Sequence, residues 1–183
     1  MNLTDTAARY GTVSRVNHWA GAALVLALLG IGLYFHEMPR GDTHAWWRSL
    51  HAGIGALALL LLAFRVLWRV LMASPAPLDG PAWMRRSRGW VHALLLGLIM
   101  LMVVTGPLIV WTTGRPLDVF GWFQLASPLS RLPALHEALE ETHAIASRAL
   151  LAAILVHVGA ALWHGLTGNG RTLMSRMVGS TPR

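Results

Sequence analysis

The sequence predicts an all-α fold, a four-helix transmembrane bundle, from three observations. Hydrophobic residues make up 55% of the 183 residues and charged residues only 13%, about half the charged share of an ordinary soluble domain. Four apolar runs each reach the roughly 20 residues that span a hydrocarbon core. Strict alternation of apolar and polar residues, which would indicate strands, is absent.

The helices are predicted at approximately residues 14–36, 50–72, 89–112 and 139–166 of a single membrane domain, residues 1–183. The second run is interrupted only by Arg65 and Arg69, near one of its ends. Gly106-Pro107 lies inside the third run and predicts a kink or an early end of that helix. Prolines at 75, 77 and 81 predict a non-helical loop between the second and third helices.

The arginines predict the orientation. All fifteen basic residues are arginine, and the net charge is +7. If four helices alternate, ten arginines lie on the side of the termini, namely Arg9, Arg15, Arg65, Arg69, Arg85, Arg86, Arg88, Arg171, Arg176 and Arg183. Four lie on the other side, namely Arg40, Arg48, Arg115 and Arg131. Because cytoplasmic loops carry the excess of basic residues, both termini are predicted to be cytoplasmic. A nucleic-acid-binding protein would instead carry a basic stripe on a polar domain.

Histidine is left to hold any metal or cofactor, because the chain has nine His and no Cys. His36 and His44 lie in the first outer loop and are expected to be solvated. In the fourth helix His143 precedes His157 by 14 residues, a spacing that places them about 40° from alignment and roughly 21 Å apart along the axis. His136 and His164 continue this stripe and are expected at or beyond the membrane interfaces.

Matching depths between helices gives an outer pair, His51 and His143, and an inner pair, His18 and His157. Two axial imidazoles without an open position suit a b-type haem that transfers electrons. Imidazole also suits zinc or copper, but those ions usually recruit three or four ligands, and no acidic residue lies within the helix centres. The pairs therefore favour two haems. His92 could compete as the partner of His18 or line a quinone pocket.

Three arginines are candidates to pair with haem propionates, because Arg binds carboxylates bidentately. Arg65 follows His51 by 14 residues and Arg69 follows it by 18, so both share its helix face at about the depth of the inner pair. The alternative for both is snorkelling to the headgroups. Arg148 could serve the outer haem or pair with a Glu.

The chain resembles the bacterial cytochrome b561 proteins of the inner membrane, from about Arg9 to Met174. The resemblance rests on Val16-Asn17-His18-Trp19, Leu50-His51-Ala52-Gly53-Ile54, Phe64-Arg65-Val66-Leu67-Trp68-Arg69, His92, Gly114-Arg115-Pro116, Phe120-Gly121, His143 and His157-Val158-Gly159-Ala160-Ala161-Leu162-Trp163-His164. It implies a multi-pass di-haem b cytochrome with four axial ligands, His18, His51, His143 and His157. It also implies electron exchange with the quinone pool, with ubiquinone as the acceptor.

One departure concerns the start of the fourth helix, where the family often has His-Glu. Here that dipeptide is His136-Glu137, one heptad before His143. His136 as the outer ligand would put its inner counterpart His157 about 31 Å away, which is the full bilayer. His143 is therefore kept as the predicted ligand.

The first functional hypothesis is a superoxide:ubiquinone oxidoreductase, because at least one member of the family is similar to a superoxide oxidase. Outward-facing arginines could steer the superoxide anion. The alternative is a cytochrome b subunit or carrier that links a periplasmic redox partner to the quinone pool. A haem-free transporter or structural bundle is a weaker third possibility. Membrane lipid is an expected partner in each case, and nucleic acid is not; the sequence does not identify catalytic residues.

Overall fold

The computed structural model describes residues 2–7, 9–72, 75, 81–166 and 177. The elements are α1 Thr12–His36, α2 Asp42–Leu71, α3 Ala82–Trp111, β1 Leu117–Val119, β2 Phe123–Leu125 and α4 Pro133–Leu166. All four helices are long and apolar enough to cross a membrane, and the prediction of a four-helix transmembrane bundle is confirmed. Four residues used in the loop and orientation predictions lie outside the described residues, namely Pro77, Arg171, Arg176 and Arg183.

All four helices begin before the positions predicted from the apolar runs. α2 starts at Asp42, whose carboxylate stands in the first turn, where the helix dipole favours negative charge. α4 starts at Pro133, and proline suits the first helical position because its N–H would be unpaired there anyway. An apolar run therefore indicates the segment that lies in the hydrocarbon core, and helical turns of polar residues extend the helix beyond that segment.

The expected early end of the third helix is wrong. α3 continues through Gly106 and Pro107 to Trp111. Pro107 stands close to the carboxyl end of α3, and its missing N–H removes only one interior helical bond.

The loop between α3 and α4 contains a small β-hairpin that the sequence analysis did not predict. β1 and β2 are antiparallel, with Leu117 opposite Leu125 and Val119 opposite Phe123. Phe120 and Gly121 form the turn with φ values of 56° and 72°, the positive values that a tight hairpin turn needs. Strands of three residues are too short to show a period of two, which explains why the pattern escaped detection.

The helices pack in chain order, α1 on α2, α2 on α3 and α3 on α4, and β1 packs on α2 and α3. The core contains residues from all four helices: Val25, Leu29, Ala58, Leu62, Val66, Ile99 and Leu150. We call the end of the bundle that carries the hairpin the hairpin end, and the end that carries the amino-terminal segment the tail end. At the hairpin end, Leu117 and Val119 are buried against the helices.

The amino-terminal segment caps α1 at the tail end. The backbone carbonyls of Asn2 and Leu3 accept hydrogen bonds from the N–H groups of Thr12 and Val13. The Asp5 carboxylate accepts from the Gly11 N–H at 2.7 Å. These contacts satisfy N–H groups that the first turn of a helix leaves unpaired.

Asp5 also anchors a hydrogen-bond chain to the second helix. Its carboxylate accepts from the Ser14 hydroxyl at 2.9 Å, and the Ser14 oxygen accepts from the Trp68 indole at 2.8 Å. The chain ties the amino-terminal segment, α1 and α2 together.

We predict that Gly53→Ala destabilises the protein. A Cβ at Gly53 would lie 2.7 Å from the Phe120 ring, so the ring would have to move away from α2. Overpacking of this kind costs about 1–3 kcal/mol. Thermal unfolding in detergent measures the effect.

Gly30→Ala is the matched control, because a Cβ there meets nothing within 4 Å and the gain in helix propensity is the same. A Gly53→Ala variant as stable as Gly30→Ala would contradict the packing of Phe120 on α2.

Candidate haem-binding site

Two histidine pairs bridge helices that are not neighbours in the chain-order packing. The ring centroids of His51 on α2 and His143 on α4 are 6.4 Å apart, with the ring planes at 85°. The centroids of His18 on α1 and His157 on α4 are also 6.4 Å apart, with planes at 59°. The structure brings together the same two pairs that the depth matching predicted.

His143 is held by a hydroxyl from α3. Thr105 Oγ1 lies 2.7 Å from His143 Nδ1 and donates to the Leu101 carbonyl at 2.7 Å. A carbonyl oxygen can only accept, so the hydroxyl proton of Thr105 can point to Leu101 while its oxygen accepts from Nδ1–H of His143. This arrangement goes with the tautomer whose proton-free Nε2 can bind a metal.

His51 lies against α1 at a position without a side chain. A Cβ at Gly32 would come within 3.2 Å of His51 Cε1, so the glycine leaves room for the ring. The Phe35 ring contacts His51 edge-on at 5.6 Å. His51 Nδ1 is buried, and no hydrogen bond to this atom is found among the described residues.

His157 has two histidine neighbours at the tail end. The His92 ring centroid on α3 lies 5.3 Å from that of His157, closer than the 6.4 Å to His18. Two imidazoles bound at about 2 Å on opposite sides of one metal ion would have ring centroids roughly 6.3 Å apart. The His18–His157 spacing fits such a pair of opposite ligands, and the shorter His92–His157 spacing does not.

Arg65 is a half-buried cation beside the tail-end pair. Its Nη1 donates to the Asn17 carbonyl at 3.0 Å, and its Nη2 lies 3.1 Å from His18 Nδ1. Its stem packs on Gly21, where a Cβ would meet Arg65 Cδ at 3.0 Å. The Nε–H is buried without a partner, and among the described residues no carboxylate is within ion-pair distance of Arg65. A half-buried guanidinium with a free donor is suited to an anionic group of a cofactor.

Because a guanidinium has no acceptor, Nδ1 of His18 accepts in this contact and the proton of the neutral ring sits on Nε2. Metal binding through Nε2 requires this proton on Nδ1 and requires Arg65 to turn its N–H elsewhere. The tail-end pair therefore differs from the hairpin-end pair, where the contact of Thr105 with His143 Nδ1 is compatible with the tautomer that a ligand needs.

The other two candidate arginines have partners of their own. The Arg69 guanidinium carbon lies 5.7 Å from the centre of the Tyr10 ring. Arg148 donates to the Ala144 carbonyl at 3.2 Å and lies 3.2 Å from His36 Nε2. The latter contact joins α4 to the end of α1, and it gives His36 a partner that the sequence analysis did not foresee.

His136 is engaged at both ring nitrogens. Its Nδ1 lies 3.0 Å from the Ile109 carbonyl and 3.2 Å from Thr112 Oγ1, and its Nε2 lies 3.4 Å from Glu140 Oε1. It therefore connects the end of α3 to the start of α4. Because neither nitrogen is left over, the structure supports His143 rather than His136 as a ligand.

Sequence reasoning missed Thr105 and the partner that it provides. Thr105 is only 2% exposed and stands in the middle of an apolar run. A hydroxyl in such a run is a recognisable signal, since polar groups in membrane helices commonly bond across to a neighbouring helix. The partner, His143, depends on the register of α3 against α4, which the sequence does not indicate.

The comparisons with known proteins agree with this architecture. A family model described as prokaryotic cytochrome b561 matches residues 9–180. The chain is also 31% identical to "Cytochrome b561 homolog 2" of Escherichia coli (strain K12) over 185 residues, which cover 99% of this chain and 97% of the relative. The fold and the paired imidazoles are those of a membrane electron-transfer cytochrome. The chain belongs to the prokaryotic cytochrome b561 family, a haem b family of the bacterial inner membrane.

We predict that His136→Ala leaves the haem content unchanged and lowers stability. The substitution removes the contacts of Nδ1 with the Ile109 carbonyl and the Thr112 hydroxyl and that of Nε2 with Glu140, and each lost hydrogen bond costs about 0.5–1.5 kcal/mol. Haem absorbance per protein and thermal unfolding measure the two effects. Loss of haem from this variant would contradict the assignment of His136 to the helix junction.

Proposed function

We propose that the protein is a di-haem b electron-transfer cytochrome that passes electrons to ubiquinone, with superoxide as the donor. His51 and His143 are the axial ligands at the hairpin end, and His18 and His157 are those at the tail end. The observation that carries the proposal is the 6.4 Å spacing of both pairs, because an iron between two imidazoles requires about that separation. Haem b held in this way supplies one-electron transfer with no open position for oxygen.

The residues around both pairs fit this cofactor. Gly32 leaves space beside His51. Arg65 offers a buried Nε–H without a partner, and a propionate carboxylate would give it a counter-charge. The same pairing would release Arg65 from His18 Nδ1 and so free His18 to act as a ligand through Nε2. Arg69, one turn further along α2, is proposed as a second partner for a propionate. Its guanidinium would have to give up its contact with the Tyr10 ring.

The overall reaction balances with two superoxide anions for each ubiquinone. Each superoxide gives up one electron and leaves as dioxygen, and ubiquinone takes up two electrons and two protons to become ubiquinol. With cytoplasmic termini, the hairpin end would face the periplasm, where superoxide would reach the His51–His143 site.

Charge at the hairpin end gives only local support for superoxide steering. Four exposed arginines lie there, namely Arg40, Arg48, Arg115 and Arg131. Six carboxylates lie there as well, namely Glu37, Asp42, Asp118, Glu137, Glu140 and Glu141. Any attraction of the anion must therefore come from one patch of this surface rather than from its net charge.

The alternative partner is a periplasmic redox protein, and one surface feature favours it. β2 and its turn expose large apolar side chains, with Trp122 at 74%, Phe123 at 47% and Leu125 at 40%. Exposed aromatic residues at the end of a bundle suit docking of a protein. In that case the chain is a carrier that links the partner to the quinone pool.

We predict that substitution of any one proposed ligand removes a single haem. His51→Ala and His143→Ala should lose the hairpin-end haem, and His18→Ala and His157→Ala the tail-end haem, so that haem per protein falls to about half in each. The double variant of one pair should lose no more than either single variant. Haem quantification per protein measures this, with His164→Ala as the control at the same helix end as His157. Full haem content in any of the four single variants would refute the pairing.

Pulse radiolysis separates the two donors. If superoxide is the donor, haem reduction in the presence of ubiquinone should approach the diffusional range of about 10⁸–10⁹ M⁻¹s⁻¹. A rate no faster than that of an unrelated bis-imidazole haem protein would exclude superoxide and leave the carrier function. Formation of ubiquinol in the same sample identifies the acceptor.

A further inference from the structure

We propose that Thr105 is the positioning residue for His143, and that it sets both haem affinity and redox potential at the hairpin end. The inference rests on the proposed function, because it takes His143 as an axial ligand. It adds a residue on α3 that contributes no ligand of its own and acts only through the imidazole.

Three features of Thr105 support this role. Its hydroxyl lies 2.7 Å from His143 Nδ1. The hydroxyl also lies 2.7 Å from the Leu101 carbonyl, to which it can donate, so that with Nε2 as the ligand the oxygen would present a lone pair to Nδ1–H. The residue is 2% exposed, and water cannot replace it. The β-branched side chain has few rotamers in a helix, which fixes the direction of the acceptor.

An acceptor on Nδ1–H does two things to a histidine ligand. It fixes the tautomer and the ring orientation, so that Nε2 faces the metal, and it makes the imidazole a stronger electron donor. A stronger donor stabilises the ferric state more than the ferrous state, and so lowers the reduction potential. Loss of the Thr105 hydroxyl should therefore weaken haem binding and raise the potential.

A second threonine on the same helix provides the internal comparison. Thr112 lies 3.2 Å from His136 Nδ1 and donates to Leu108 at 2.8 Å and Ile109 at 2.9 Å. This contact repeats that of Thr105 and His143 one heptad away, but its histidine also has Glu140 as a partner. Thr112→Val thus removes the same group from the same interface without touching a proposed ligand.

The experiment is a redox titration of the purified holoprotein carrying Thr105→Val, Thr105→Ser or Thr112→Val. Thr105→Val keeps the shape and loses the hydroxyl. Outer-shell partners of metal-bound histidines change metal affinity about 10–100-fold when removed. A tenfold loss of ferric preference corresponds to a rise of about 59 mV for a one-electron couple. The His143→Ala variant identifies which of the two titration waves belongs to the hairpin-end pair.

We expect Thr105→Val to raise the reduction potential of the hairpin-end haem alone and to lower the occupancy of that haem. Thr105→Ser should restore both the potential and the occupancy. If Thr105→Val inserts poorly, Thr105→Ala carries the same test. The inference would be overturned if Thr105→Val kept the wild-type potential and haem occupancy, or if Thr112→Val shifted the potential equally. Either result would leave the proposed haem pairs intact. Full haem content in His143→Ala would instead refute the pairs.

Discussion

Every imidazole inside the bundle has two ring nitrogens, and no water is available in the hydrocarbon region to satisfy them. At His143 and His136, threonines of α3 provide the partner for Nδ1, and these contacts determine how α3 lies on α4. α3 runs antiparallel to α4, so Thr105 and Thr112 meet His143 and His136 in reverse order. The two contacts fix the register of α3 on α4. They thereby fix the depth at which His143 meets His51.

The same requirement separates histidines that look alike in sequence. His136 and His143 are one heptad apart on one face of α4, and both have a threonine at Nδ1. His136 lies nearer the helix end, where Glu140 lies beside its second nitrogen. His143 lies deeper and faces the ring of His51. Position along the helix, rather than residue type, makes one of them a helix-junction residue and the other a ligand candidate.

The sequence was sufficient for the features that depend on period and length. Four apolar runs predict four spans, and the 14-residue spacing of His143 and His157 predicts two depths on one helix face. It was insufficient where a contact depends on tertiary register. The contact of Phe120 with Gly53 joins the hairpin to α2, and nothing local to either residue indicates it. The contacts of Arg65 with His18 and of Arg148 with His36 likewise join helices that are distant in the chain.

The two pairs share a ring spacing but have different electrostatic surroundings. His143 Nδ1 lies against a neutral hydroxyl, whereas His18 Nδ1 lies beside the guanidinium of Arg65. Under the proposed ligation, the first contact strengthens the ligand and favours the oxidised metal. A nearby cation favours the less positive, reduced state, and this effect is strong where water is excluded. A propionate bound to Arg65 would offset that charge and, as proposed above, release the guanidinium from His18. The Thr105 contact is then the difference between the two pairs that would remain with haem bound, and it would favour the oxidised metal at the hairpin end.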